Sequence, residues 1–233
     1  MTANADRPDF AQASDLTMQT YRQVAAVYAQ HHQISSLPPF WQENMRRFVA
    51  ELQAHPSWRT ETALPILDAG CGPGRDALIF ARQGLSVHAI DLSPEMLAQA
   101  RQFCLDQPGS ERLSFQQMDM RRLDFPDQSH AGAWVSASFL HIPKQENLSV
   151  LRELIRVLIP GGVLTLLVKE ADDKPDERYD LHMASGTPRF FARYRGGELW
   201  DLLERAGLRV MNLASHPNKS GDSWLGALAR KPA

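Results

Sequence analysis

The sequence predicts an α/β fold: a doubly wound, mostly parallel seven-stranded sheet with an antiparallel last strand, preceded by N-terminal helices. Three observations carry this. From residue 65 onward, short apolar runs alternate with segments of helical period. The run Val163-Leu164-Thr165-Leu166-Leu167-Val168 is apolar almost throughout, as a parallel strand covered by helices on both faces must be. The last two strand-like runs are separated by only a short polar turn, whereas a parallel crossover needs roughly a dozen residues or more.

Taken in order, residues 17–54 place Tyr21, Val24, Ala25 and Tyr28 on one helical face, then Phe40, Trp41, Phe48 and Leu52 on another. Leu37-Pro38-Pro39 splits the two helices. Residues 55–63 lack a period and form a linker, so that 1–60 make a helical extension capping the site and 61–233 the main domain. Strand, helix, strand, helix and strand follow over 65–69, 74–83, 86–91, 94–106 and 114–118. Ser93 is a suitable N-cap, and Pro94 sits in the first turn, where its missing N–H costs nothing. A strand over 131–137 and a helix over 145–158 lead through Pro160-Gly161-Gly162 to a strand over 163–169. Residues 170–188 are charged and aperiodic, the pattern of a mobile lid. A helix over 198–206 and strands over 208–213 and 223–230 close the chain. There is no internal repeat.

Composition narrows the function. With 233 residues, 43% hydrophobic and 22% charged, the chain can bury a core. A formal net charge of −2 argues against a nucleic-acid surface. Two cysteines, Cys71 and Cys104, make neither a disulfide framework nor a thiolate metal site, and they favour a cytoplasmic protein with no metal. Residues 1–16 carry no apolar core for a secretory signal, and no run is long enough to span a bilayer. Oligomeric state is not encoded legibly.

Gly70-x-Gly72-x-Gly74 lies between a strand and a helix, where glycine permits close approach of backbone to a nucleotide-like ligand. Asp91 ends the next strand about 20 residues on, where a carboxylate accepts ribose hydroxyls. A dinucleotide fingerprint would place a third glycine where Arg75 stands, so a nicotinamide-dependent oxidoreductase is the second-ranked reading.

Leu67-Asp68-Ala69-Gly70-Cys71-Gly72-Pro73-Gly74-Arg75-Asp76 resembles motif I of the class I S-adenosylmethionine-dependent methyltransferases, whose fold is Rossmann-like. The likeness extends to His88-Ala89-Ile90-Asp91-Leu92-Ser93-Pro94-Glu95-Met96, to Gln117-Met118-Asp119-Met120, to 134–143 and to Leu158-Ile159-Pro160-Gly161-Gly162. The resemblance implies S-adenosylmethionine as cofactor and a small-molecule acceptor. It implies that Gly70, Cys71 and Gly72 form the loop, that Asp91 binds the ribose, and that Leu92 and Met96 touch adenine. Asp119 and Met120 then meet the adenine edge and Ala137 lines the site. Tyr21 or Tyr28 closes over the cofactor, or else both belong to a core stripe.

Methyl transfer is chiefly a matter of placement, which can supply about 7–11 kcal/mol, against about 3–5 kcal/mol from a general base. His141, after the fourth strand, is the candidate base, with a packing role as its alternative. Asp68 either accepts from the loop or meets the cofactor's ammonium. Arg75 or Arg193 suits the methionine carboxylate or an anionic acceptor, and the cluster from Arg189 to Arg195 is either an acceptor wall or a surface turn. A non-catalytic S-adenosylmethionine-binding module is a third reading.

Overall fold

The computed structural model describes residues 10–55, 58, 64–182, 185–217 and 222–233. Most of the predicted linker, and the stretch 1–9, lie outside the described residues. Two helices come first, α1 (Phe10–His31) and α2 (Pro39–Gln53), separated at the expected prolines. Then follow β1 (Ile66–Ala69), α3 (Arg75–Arg82), β2 (Val87–Asp91), α4 (Pro94–Cys104), β3 (Leu113–Gln117), β4 (His130–Ser136), α5 (Asn147–Val157) and β5 (Leu158–Lys169). The chain ends with β6 (Glu177–Leu181), β7 (Pro188–Ala192), α6 (Gly196–Arg205), β8 (Arg209–Pro217) and β9 (Ser223–Arg230).

The large sheet has the order β3-β2-β1-β4-β5-β9-β8, and only β9 runs against its neighbours. The expected seven strands and antiparallel last strand are present. Chain order reverses between β1 and β4, and the carboxyl edge of an open α/β sheet at such a point is where ligands bind.

Each face of the sheet buries its own core. On one, Phe48 of α2, Phe80 of α3 and Trp134 of β4 meet ring to ring, with centroids 5.3–5.6 Å apart. On the other, Val150, Leu151 and Leu154 of α5 and Leu199 and Leu203 of α6 pack with Phe190 of β7. α2 thus packs onto the large sheet over β5 and β9, whereas α1 lies on α4 and β7. Local chemistry sets the ends of α4: Ser93 Oγ accepts the Met96 N–H at 3.1 Å, with Pro94 in the first turn. Gly74, at φ 83°, lets α3 and α4 approach, since a Cβ there would lie 3.0 Å from the Ala100 methyl.

Two expectations are corrected. Residues 170–188 are not irregular throughout, because β6 pairs antiparallel with β7 in a separate two-stranded sheet. Its polar appearance comes from charges that satisfy one another, Arg178 holding Asp172 at 2.8 Å and Asp180 at 3.1 Å. The strand expected at 163 begins at Leu158, and a register shift against β4 between His130 and Gly132 accommodates the Pro160-Gly161-Gly162 segment.

Candidate active site

A cavity of about 650 Å³ opens at the carboxyl edge of β1, β2 and β4 and is roofed by α1. Asp68, Gly70, Cys71, Gly72, Arg75, Asp91, Leu92, Met96, Asp119, Met120, Ala137, Tyr21, Tyr28 and His141 line it, and of the cluster from Arg189 to Arg195 only Arg189 and Phe191 do.

The loop after β1 is held by its neighbours. Gly70 and Cys71 donate N–H to the Ile90 carbonyl at 2.8 and 2.9 Å. Asp91 clamps the loop to the next helix, with Oδ2 accepting the Gly72 N–H at 2.9 Å and Oδ1 the Ser93 N–H at 2.8 Å. Gly70 cannot be another residue, since a Cβ would overlap the Ser138 side chain, whose Oγ donates to the Ala69 carbonyl at 2.6 Å. Across the switch point, Ala137 adopts φ 53°, an uncommon conformation for a non-glycine residue and one found at functional edges. Burial pushes the Cys71 thiol well up, so it stays protonated.

Asp68 is almost wholly buried, and its Oδ2 has no hydrogen-bond partner. Burial, then the nearby Asp76 and Asp91 charges, raise its pKa well above the usual carboxylate range. Asp76, to which sequence reasoning gave no role, has partners on both oxygens. Its Oδ2 accepts both the Trp41 and the Trp134 indole N–H at 2.9 Å, while Oδ1 accepts from Arg75 at 2.7 Å. Arg75 also lies over the Trp41 ring, 5.2 Å from its centroid. Only the fold brings residues so distant in sequence to one carboxylate.

Asp119 is engaged by Arg121, whose Nη2 stands 2.7 Å from Oδ2 and whose Nη1 reaches Ser14 Oγ on α1 at 3.0 Å. Arg121 was not anticipated, although the Asp-x-Arg spacing is visible in the sequence. Arg193 is corrected. It is buried among Asp172, Asp180 and Asp222 at 3.2–3.7 Å, away from the cavity, and it ties β7 to the loop before β9.

His141 Nδ1 lies 2.6 Å from the Phe190 carbonyl, which can only accept, so Nε2 is left to accept the Tyr21 hydroxyl at 2.8 Å. The lone pair expected to serve as a base is thus spent on Tyr21. Burial pushes the imidazole pKa down to about 3; the Phe190 hydrogen bond opposes this, and the Arg189 and Lys169 charges add to it. The unfolded chain therefore takes up a proton below its value of 6.5 that the folded chain refuses, and this group's stabilisation is lost as pH falls from 6.5 toward about 3. The slope is at most about 1.4 kcal/mol per pH unit. His141→Gln is expected to flatten the acid limb of thermal stability, and superimposable limbs for the two proteins would contradict the buried neutral imidazole.

The comparisons agree with this geometry. A family model described as a methyltransferase domain matches residues 66–162. The chain is 35% identical over 102 residues to the methyltransferase GfsG of Streptomyces halstedii, covering 43% of this chain and 36% of that one. It is 34% identical over 157 residues to the S-adenosyl-L-methionine-dependent Diels-Alderase iccD of Talaromyces variabilis, covering 61% and 52%. Among solved structures, the 1,6-didemethyltoxoflavin-N1-methyltransferase of Burkholderia thailandensis, with S-adenosylhomocysteine bound, shares the fold at a TM-score of 0.70 and 24% identity, over 99% of this chain and 94% of that one. The chain spans between about a third and about half of the length of the curated relatives it matches. Over residues 66–162 the chain is thus similar in sequence to methyltransferases, and its fold is shared with methyltransferases solved with S-adenosylhomocysteine or with S-adenosylmethionine.

The residues present fit that molecule. The unpartnered Asp68 Oδ2 suits a cationic ammonium, and a Cβ at Gly72 would meet nothing within 4 Å, leaving backbone open to a ligand. No helix of the described residues is long and apolar enough to cross a membrane.

Proposed function

We propose that the chain methylates a small-molecule acceptor. The observation that carries this is the convergence on one cavity of the glycine loop, Asp91 and Asp119 with an aromatic wall that includes Tyr21, Tyr28 and Phe191. When bound, S-adenosylmethionine supplies a sulfonium methyl carbon; the acceptor atom forms the new bond as the sulfur keeps the electron pair of the broken one.

Asp91 holds the ribose, Leu92 and Met96 flank the adenine, and Asp119 with the Met120 backbone meets its edge. Gly70, Cys71, Gly72 and Ala137 shape the floor, Asp68 receives the ammonium, and Arg75 the carboxylate end. Residues 10–53 cap the site. Tyr21 closes over its centre, and His141 is a positioning residue that fixes the Tyr21 hydroxyl rather than a base. Placement then carries the rate, and the acceptor's proton leaves to solvent. The two free, buried cysteines support a cytoplasmic location.

Titration calorimetry with S-adenosylhomocysteine and with NADH tests the cofactor side: submillimolar binding of the first and none of the second is expected, and the opposite result reinstates the oxidoreductase. Release of S-adenosylhomocysteine from the cofactor on mixing with a metabolite pool tests transfer. Its absence across pools would favour the non-catalytic module or a chemistry such as the Diels-Alderase relative's name describes.

A further inference from the structure

The charges lining the cavity are divided by location. Its carboxylates are Asp68 on β1, Asp76 in the first turn of α3, Asp91 at the end of β2 and Asp119 just after β3. On the other side, Lys169 ends β5 and Arg189 lies on β7. Three of the cavity's four Lys and Arg cations are already paired: Arg75 with Asp76 and Arg121 with Asp119, each at 2.7 Å, and Lys169 with Asp222 at 2.8 Å. Arg189 is different. Among the described residues it has no ion pair, its Nε is buried without a hydrogen-bond partner, and its one bond is a long 3.4 Å contact from Nη1 to the Tyr21 hydroxyl.

The guanidinium is nevertheless well placed. It lies 5.0 Å from the centre of the Phe191 ring and 5.8 Å from that of Tyr21, so two aromatic faces hold it at the cavity wall. Tyr21 feels the charge of both Arg189 and Asp91. A buried Nε–H without a partner is costly unless a ligand completes it, and a carboxylate is the group that matches the guanidinium fork with two parallel hydrogen bonds.

Resting on the methyl-transfer reading above, we propose that the acceptor is a small carboxylate-bearing molecule whose anionic group is held by Arg189, with its apolar body against Phe191, Leu140 and Ile142. The cavity then sorts its two ligands by charge. The cationic cofactor lies on the acidic wall and the anionic acceptor on the basic one, with Tyr21 at the boundary.

The test is calorimetry on the full chain saturated with S-adenosylhomocysteine, titrated with a series of substituted benzoates and with the matching benzamides. At least one benzoate is expected to bind about tenfold or more tighter than its amide. That preference is expected to vanish in Arg189→Gln and to persist in part in Arg189→Lys, while S-adenosylhomocysteine affinity stays unchanged in both. Equal binding of acids and amides by the native chain, or binding by no benzoate, overturns the proposal without need of any variant. Loss of S-adenosylhomocysteine affinity in Arg189→Gln would assign the guanidinium to the cofactor's own carboxylate and also overturns it. Failure of S-adenosylhomocysteine to bind the native chain strikes the cofactor reading instead, and the acid–amide comparison on the unloaded chain still judges Arg189.

Discussion

Replacing Asp91 with alanine is expected to weaken S-adenosylhomocysteine binding roughly ten- to a hundredfold, because hydrogen bonds to a charged group are worth about 1.5–3 kcal/mol. Two losses act together. The ribose would lose its acceptor, and the glycine loop would lose the carboxylate that takes the Gly72 N–H. Asp91→Asn separates them: one amide oxygen still accepts from the backbone, but the charge is gone. Calorimetry on variants of native circular dichroism measures both, with alanine expected to be the weaker binder. Wild-type affinity in the alanine variant would remove Asp91 from the ribose.

The second large effect is on stability. Asp76→Ala strips the partner from the buried Arg75 and the acceptor from two buried indole N–H groups at once. Breaking a buried pair from one side costs about 3–5 kcal/mol, a sizeable share of the 5–15 kcal/mol that holds a typical domain together. Urea denaturation should show stability lower by that amount, read as a lower midpoint at unchanged slope, and a loss below about 1 kcal/mol would mean that water replaces the carboxylate. Because Trp41 lies on α2 and Trp134 on β4, the variant is also expected to loosen α2 from the sheet.

What the sequence made legible was local in character. The glycine loop, Asp91, the Ser93-Pro94 helix start and the apolar β5 are each decided by neighbours within a few residues, or by a period. The Asp76 hub was not legible, since its donors lie 35 and 58 positions away and a lone Asp after an Arg looks like a solvated pair. Arg193 misled for the same reason: its carboxylates come from 172, 180 and 222, and only the turn of the chain through β6 and β7 assembles them. The hairpin itself was hidden because β6 is short and carries Glu177, Arg178 and Asp180, and because the burial of β7 depends on α1, far away in sequence, as well as on β6. His141 was legible as a residue at the sheet edge, but the hydrogen bonds that occupy both its ring nitrogens were not, since they come from residues 21 and 190.

Ser14, Tyr21 and Tyr28 recur every seven residues along α1, and all three face the cavity. At 1.5 Å per residue the first and last stand about 21 Å apart, so the helix works as a measuring rod laid along the cavity. Ser14 marks the Arg121–Asp119 end, and Tyr28 the end where its ring stacks on His32. A side-chain change alters one mark, whereas an inserted or deleted residue rotates every later mark by about 100° and moves it off the scale. Substitution along α1 therefore reshapes the cavity one mark at a time, whereas a change in the length of the helix shifts the whole wall at once.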